Sequence, residues 1–313
     1  MKATTRSHYE AAVRRALARI VAGLDEALDL ERLGKEAALA PLHFHRVFRG
    51  MVGETPLELK RRLRLERAAH QLAETLLPIA RIAFDAGYET HEAFTRSFRQ
   101  SYGAAPSSFR ERVARDARAH VHCELTTQNG LHFDPDPRAF DDALANVHLS
   151  CGETAMDVEL KDMPELRLLT LRHLGAYSNI HETFARLGWL LGRAGLTWQP
   201  DTLLVAVYHD DPEATAVQEL RADAAVTVTA GTPIPAELGT LTLPAGRYAH
   251  FVHRGAYARL GDTWARFMGD WLPASGHRVG AGLAYEIYFN TPENAPEHEL
   301  RTGLYVPIDD PAA

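Results

Sequence analysis

The sequence predicts a multidomain chain: an all-α N-terminal domain with two helix-turn-helix units, followed by an α+β domain of two pseudo-symmetric βαββ repeats. Residues 30–110 repeat on themselves at an offset of fifty, in a helical pattern, and the residues after 155 repeat at an offset of eighty, in a strand-rich pattern. A repeat at fixed period marks a repeated supersecondary unit. Charge divides along the same line. Residues 1–120 hold 21 Lys+Arg against 15 Asp+Glu (+6), and the remainder 13 against 26 (−13), together the net charge of −7. A basic first part facing a polyanion and an acidic second part that does not is the simplest reading of that split.

The 313 residues suggest two or three domains. No apolar run approaches membrane-spanning length, and the start is charged and amphipathic without an apolar core ahead of a cleavage site; the expectation is a cytoplasmic protein. The two cysteines, Cys123 and Cys151, form no disulfide framework or metal-ligand spacing.

Taken in order, residues 9–28 place Ala12, Val13, Ala16, Leu17, Ile20, Val21 and Leu24 on one stripe, an amphipathic helix. Residues 30–39 and 42–51 then form the first helix-turn-helix unit, broken at Ala40-Pro41 and closed by Gly53. Thr55-Pro56-Leu57-Glu58 is a capping box with proline in the first turn, opening a long helix from 56 to about 76 whose Lys60, Arg61, Arg62, Arg64 and Arg67 read as a solvated face. The second unit comprises residues 78–86 and 91–102, broken at Gly87-Tyr88 and closed by Gly103. A short helix over 107–118 ends the region.

In the repeat, Phe44 falls on Phe94, Arg46 on Arg96, Phe48 on Phe98 and Arg49 on Arg99. Phe44, Val47, Phe48 and Met51 share one helical face, as do Phe94, Phe98 and Tyr102; the opposite faces carry His43, His45, Arg46 and Arg49, and His91, Glu92, Thr95, Arg96 and Arg99. One face packs and the other offers donors, as a helix in a DNA major groove requires. Arg46 and Arg96 can each grip guanine O6 and N7, with His45, His91 and Thr95 beside them; Leu42 can touch a thymine methyl; Arg49 and Arg99 suit phosphate.

Residues 119–155 read as a linker with some local strand, broken by Gly130, Asp134, Pro135, Asp136 and Pro137. His120-Val121-His122-Cys123 does not complete a closed metal site. The boundaries expected are therefore 1–118 for the DNA-binding domain, 119–155 for the linker and 156–308 for the second domain. In the eighty-residue repeat His173 falls on His253, Gly175-Ala176-Tyr177 on Gly255-Ala256-Tyr257, and Phe184 on Trp264. The first copy predicts strand 166–174, helix 179–193 and strands 203–208 and 220–228; the second predicts strand 247–253, helix 257–272 and strands 284–289 and 299–306. A ligand cleft between two such halves is expected.

Two resemblances add to this reading. Ile79-Ala80-Arg81-Ile82-Ala83-Phe84-Asp85-Ala86-Gly87-Tyr88 and Phe94-Thr95-Arg96-Ser97-Phe98-Arg99 lie in a segment, 9–112, that resembles the AraC-type DNA-binding domain. The resemblance implies seven helices, a long linker helix and two recognition helices in successive major-groove turns, about 34 Å apart. It maps base reading onto Leu42, His45, Arg46, His91, Glu92 and Arg96; Leu42 is smaller than the side chain common at its position. Residues 156–308 resemble the gyrase-inhibitor-like effector-binding family through His173-Leu174-Gly175-Ala176-Tyr177, Tyr208-His209-Asp210-Asp211-Pro212, Leu243-Pro244-Ala245-Gly246-Arg247-Tyr248-Ala249, Trp271-Leu272-Pro273 and Tyr285-Glu286-Ile287-Tyr288. That resemblance places Glu286 in a hydrophobic cleft facing a cationic or polar ligand; strand alternation sets Glu286 and Tyr288 on one face and Tyr285 and Ile287 on the other, the paired repeats bring Tyr177, Tyr257 and Trp264 to the same region, and Tyr208 is expected at the ligand site with them. It also includes members that hydrolyse reactive small molecules.

The expectation is a ligand-responsive transcriptional regulator and not an enzyme, with no catalytic residues, metal or cofactor. Its partners are double-stranded operator DNA and a small-molecule effector, with RNA polymerase as a candidate and no membrane. The alternative keeps the DNA-binding domain and makes the second domain a hydrolase or a protein-binding module. No Gly-x-Ser-x-Gly elbow, phosphate loop or His-Glu-x-x-His is present, and His209-Asp210-Asp211 reads as a turn after a strand.

Overall fold

A computed structural model describes residues 2–115, 125–150, 156–196, 199–210, 212 and 215–309. The His120-Val121-His122-Cys123 cluster, Cys151 and Asp211 lie outside the described residues. The chain divides into two compact units: one comprises Glu10–Ala37 and Phe48–Ser150, the other Met1–Tyr9, Ala38–Val47 and Cys151–Ala313.

The described helices of the N-terminal half are α1 (Lys2–Ala22), α2 (Leu30–Glu36), α3 (Pro41–Val52), α4 (Pro56–Glu74), α5 (Ile79–Asp85), α6 (His91–Tyr102), α7 (Pro106–Arg115) and α8 (Pro137–Ala145). The expected capping box opens α4: Thr55 Oγ1 accepts from the Glu58 amide at 3.2 Å, and the Glu58 carboxylate accepts from the Thr55 amide at 2.9 Å. Helix α6 begins at Thr90, whose hydroxyl accepts from the Ala93 amide, and stops at Gly103 in the left-handed conformation. Between α5, α6 and α7 the rings of Phe94, Phe98 and Phe109 pack at centroid distances of 5.3–5.5 Å over Leu65, Leu72 and Ile82 of the same core. Burying each such side chain contributes about 1.5–3 kcal/mol. The turn of the second helix-turn-helix uses Gly87 at φ 83°, whereas the turn of the first uses Ala38 at φ 56°, a left-handed conformation that costs a residue with a Cβ about 1–2 kcal/mol.

The basic face of α4 differs from expectation. Lys60 and Arg62 are buried. Lys60 donates to the Gly23 and Glu26 carbonyls, Arg64 to the Leu24 carbonyl at 2.7 Å, and Arg67 to Asp25 and the Asp85 carbonyl. Lys60 and Arg64 thereby hold the turn at residues 23–26 that follows α1. Arg62 is clasped between Glu54 and Glu66 at 2.7 and 2.9 Å and also donates to the Leu131 carbonyl.

Residues 125–150 contribute to the same unit. Asn129 donates to the Val52 carbonyl and to Glu54, and Glu66 accepts from the Leu125 and Phe133 amides and contacts His132 Nδ1 at 3.1 Å. Where the sequence suggested local strand, the segment carries α8: Asp136 is the N-cap and Pro137, read as a breaker, occupies the first turn that tolerates it.

The second unit is built on an antiparallel sheet. Its strands are β1 (Glu159–Met163), β2 (Leu166–Leu174), β3 (Leu204–Tyr208), β4 (Arg221–Thr227), β5 (Gly239–Leu243), β6 (Gly246–Arg254), β7 (Arg278–Val279), β8 (Tyr285–Tyr288) and β9 (Arg301–Asp309). The order is β1-β6-β9-β8-β3-β4-β2-β5, with β7 on the end of β9. One face packs Val205, Val207, Tyr285, Ile287, Tyr248 and Tyr305 together. The other takes Leu187, Leu190 and Leu191 of α9 (Ile180–Arg193) onto Leu169, Ala224 and Val226. A second helical stretch runs as α10 (Leu260–Arg266), a π-helical segment Phe267–Trp271 and α11 (Leu272–Ser275). The widened turns precede Pro273, whose ring cannot sit against the carbonyl four residues back.

Local geometry recurs at the offset of eighty. His173 Nδ1 meets Thr183 Oγ1 at 2.8 Å and Nε2 meets the Ala176 carbonyl at 3.0 Å; His253 does the same with Thr263 at 2.8 Å and Ala256 at 3.1 Å. A carbonyl partner requires Nε2 to carry a proton in both histidines. Gly175 and Gly255, at φ 113° and 106°, turn each strand into the helix after it.

Candidate functional site

Glu286 sits at the centre of β8, paired with Ala206 on β3 and Leu304 on β9. Strand alternation puts it and Tyr288 on the helix-bearing face, opposite Tyr285 and Ile287. Ala206 is in turn paired with Ala224, and both are fully buried. Glu286 as a residue is 2% exposed. A buried charge needs donors, and neutral ones surround it. Trp264 Nε1 donates to Oε1 at 2.6 Å and the Tyr288 hydroxyl donates to Oε2 at 2.7 Å. The Tyr208 hydroxyl lies 3.5 Å from Oε2 and 3.0 Å from the Tyr288 hydroxyl.

Aromatic rings continue outward from this carboxylate. Tyr177 meets Tyr208 edge-on at 4.8 Å, and Tyr257 and Phe184 meet Tyr288 edge-on at 5.4 and 5.6 Å. The turns after β2 and β6 position Tyr177 and Tyr257, whose hydroxyls donate to the carbonyls of Asp210 and Asn290. Burial, then the Glu286 charge, pushes the Tyr208 and Tyr288 hydroxyls well above the usual phenol range and raises Tyr257. All three therefore remain neutral donors. The arrangement is an anionic centre lined by π faces, which attracts a cation with an apolar body.

All six residues expected at a ligand site, Glu286, Tyr288, Tyr177, Tyr208, Tyr257 and Trp264, belong to this one cluster. Phe184 was not among them; its signal was its place opposite Trp264 in the repeat. A second unexpected member is Arg46. Its guanidinium carbon lies 3.7 Å over the centre of the Trp264 ring, and its charge acts on Tyr208.

The residues expected to face DNA separate into two groups. On α6, Phe94 and Phe98 are buried while His91, Glu92, Arg96 and Arg99 are exposed and Thr95 is half-buried, 3.5 Å from His91 Nδ1. On α3, Leu42, Arg46 and Arg49 are half-buried and His45 is buried, as is His43 of the same turn. Burial, then the Arg46 charge, pushes His43 down to about 4. His209 and Asp210 are engaged with Asp223 at 2.7 Å and Arg221 at 2.7 Å.

Residues 33–112 match a helix-turn-helix domain and residues 156–309 the GyrI-like small molecule binding domain. Regulatory protein SoxS of Salmonella typhimurium is 33% identical over 90 residues, 29% of this chain and 84% of that protein. The chain belongs to the AraC-type helix-turn-helix family. Its C-terminal part is a GyrI-like domain, similar to the DNA gyrase inhibitor of Serratia proteamaculans at 31% identity over 145 residues, 43% of this chain and 88% of that protein. The HTH-type transcriptional regulator Rv1931c of Mycobacterium tuberculosis is 40% identical over 82 residues, 26% of this chain; the chain spans about a third of that protein's length, 32%. No helix among the described residues is long and apolar enough to cross a membrane.

Proposed function

We propose that this chain is a one-component transcriptional regulator that reads operator DNA with α3 and α6 and responds to a small cationic, amphipathic molecule bound at Glu286. The observation that carries the ligand class is the buried Glu286 carboxylate, held by Trp264 and Tyr288 and walled by Tyr177, Tyr208 and Tyr257. On the DNA side, Arg96 with His91, Glu92 and Thr95 forms a base-reading edge on α6, Arg46 with His45 and Leu42 its counterpart on α3, and Arg49 and Arg99 grip phosphate. Residues 1–118 serve DNA reading and residues 156–308 ligand binding, with RNA polymerase as the partner on promoter DNA. The cleft binds its ligand without turnover: both Glu286 oxygens already accept from neutral donors, an arrangement suited to holding charge in place rather than drawing a proton from water.

The test is a duplex selection with the full chain, then titration of the recovered DNA with and without methyltriphenylphosphonium as cationic probe. Sequence enrichment together with a cation-dependent affinity supports the reading. No enrichment, or an affinity indifferent to a cation that binds, overturns it.

A further inference from the structure

We propose that Arg46 is the built-in cation of the Glu286 cleft, and that an effector acts by evicting it and so freeing the edge of α3 for DNA. The inference rests on reading that cleft as a cation site, and it assigns the regulation of the site to one side chain.

Arg46 belongs to the same compact unit as the sheet and α10. It covers the indole of Trp264, the residue whose Nε1 is bonded to Glu286. A guanidinium is weakly hydrated and stacks on aromatic faces, so it suits this place better than an ammonium would. Its contact is the one expected of a ligand cation: a positive charge on the Trp264 face, in the field of a buried carboxylate. Both cannot hold that face together.

The two helix-turn-helix units provide an internal comparison. Arg46 and Arg96 occupy equivalent positions, fifty residues apart. Arg96 is exposed, and so is His91. Arg46 is stacked, and His43 and His45 beside it are 8% and 7% exposed. The difference does not lie in the helices, since both bury the matching pair of phenylalanines. It lies in what covers the opposite face. A guanidinium lying over Trp264 is not available to grip a guanine, so in this conformation only α6 has its reading edge open. Effector and DNA then favour the same released state, and each raises the affinity of the other by the same factor.

The experiment uses the full chain. Phenylglyoxal labelling, read by peptide mass spectrometry, reports Arg46 and Arg96 in the same sample. Without ligand, Arg46 should label about tenfold more slowly than Arg96; methyltriphenylphosphonium should raise the Arg46 rate and leave Arg96 unchanged. Arg46→Ala spares Phe44 and Phe48, and should bind the cation about tenfold more tightly than wild type in calorimetry. Equal cation affinity in wild type and Arg46→Ala, or an Arg46 labelling rate that bound cation leaves unchanged, overturns the proposal while the cation site stands. Failure of the cation to bind either protein overturns the reading of the cleft itself, and the proposal with it. The neutral triphenylphosphine oxide should change neither rate.

Discussion

Trp264 Nε1 lies 2.6 Å from Glu286 Oε1, so an indole that caps a buried carboxylate on one edge also offers its face to a cation. Charge and π surface are thereby joined in one site, and a ligand that engages one meets the other.

The Tyr288 hydroxyl is the donor to the second carboxylate oxygen. Tyr288→Phe keeps the ring contacts with Phe184 and Tyr257 but removes that donor. A buried acceptor left short of a partner costs about 1–3 kcal/mol, and charged groups cost more. Urea denaturation monitored by tryptophan fluorescence should show a loss in that range.

His43 should make stability depend on acidity. Its folded pKa is depressed to about 4, from an ordinary value of 6.5. The unfolded chain therefore takes up a proton between those values while the folded one does not, and stability falls as pH drops from about 6.5 towards 4. The loss at the bottom of that window is about 3 kcal/mol. Comparing urea midpoints of wild type and His43→Asn at pH 7.5 and 4.5 isolates it. A wild type that loses no more than the variant would show His43 to be protonated, or solvated, in the folded chain.

Arg62 neutralises Glu54 and Glu66 inside the first unit. Arg62→Ala leaves both carboxylates without their cation, which should cost about 3–5 kcal/mol. Asn129 and the Leu131 carbonyl belong to the same network. A fragment ending at residue 150 should therefore resist urea better than one ending at 118. Equal midpoints would mean that residues 125–150 add nothing to that unit.

On the DNA side, Arg96→Ala should cost about 1–3 kcal/mol on the selected duplex and relax specificity at one position, whereas Arg99→Ala should weaken all sequences alike. Binding should also weaken steeply with salt. Equal losses on selected and random DNA for Arg96→Ala would remove it from base reading.

Much of this organisation was legible in the residues. The α6 bounds, the α4 capping box and the β2 span agree with the expected ones because each is set by local chemistry: Thr90 and Gly103, Thr55 and Glu58, and a run of apolar residues ending at Gly175. The sides of β8 were legible through alternation, which separated Glu286 and Tyr288 from Tyr285 and Ile287. What escaped was decided by distant partners. β1 and β5 are the edges of the sheet, and Glu159-Leu160-Lys161-Asp162-Met163 carries the charges that edges tolerate, so it does not read as strand. The arginines of α4 look like a solvated stripe until the carbonyls of residues 23–26 and 131 are in view. Arg46 looks like Arg96 in sequence, and only the fold brings it to Trp264.

The central claim is that Glu286 gives the cleft its preference for cations. Calorimetric titration of wild type and Glu286→Gln with methyltriphenylphosphonium and neutral triphenylphosphine oxide tests it most directly. The substitution preserves shape and removes charge. Glu286→Gln should lose about tenfold or more in affinity for the cation, equivalent to about 1.4 kcal/mol or more, with the neutral partner little changed. Unchanged affinity for the cation in Glu286→Gln would contradict the claim.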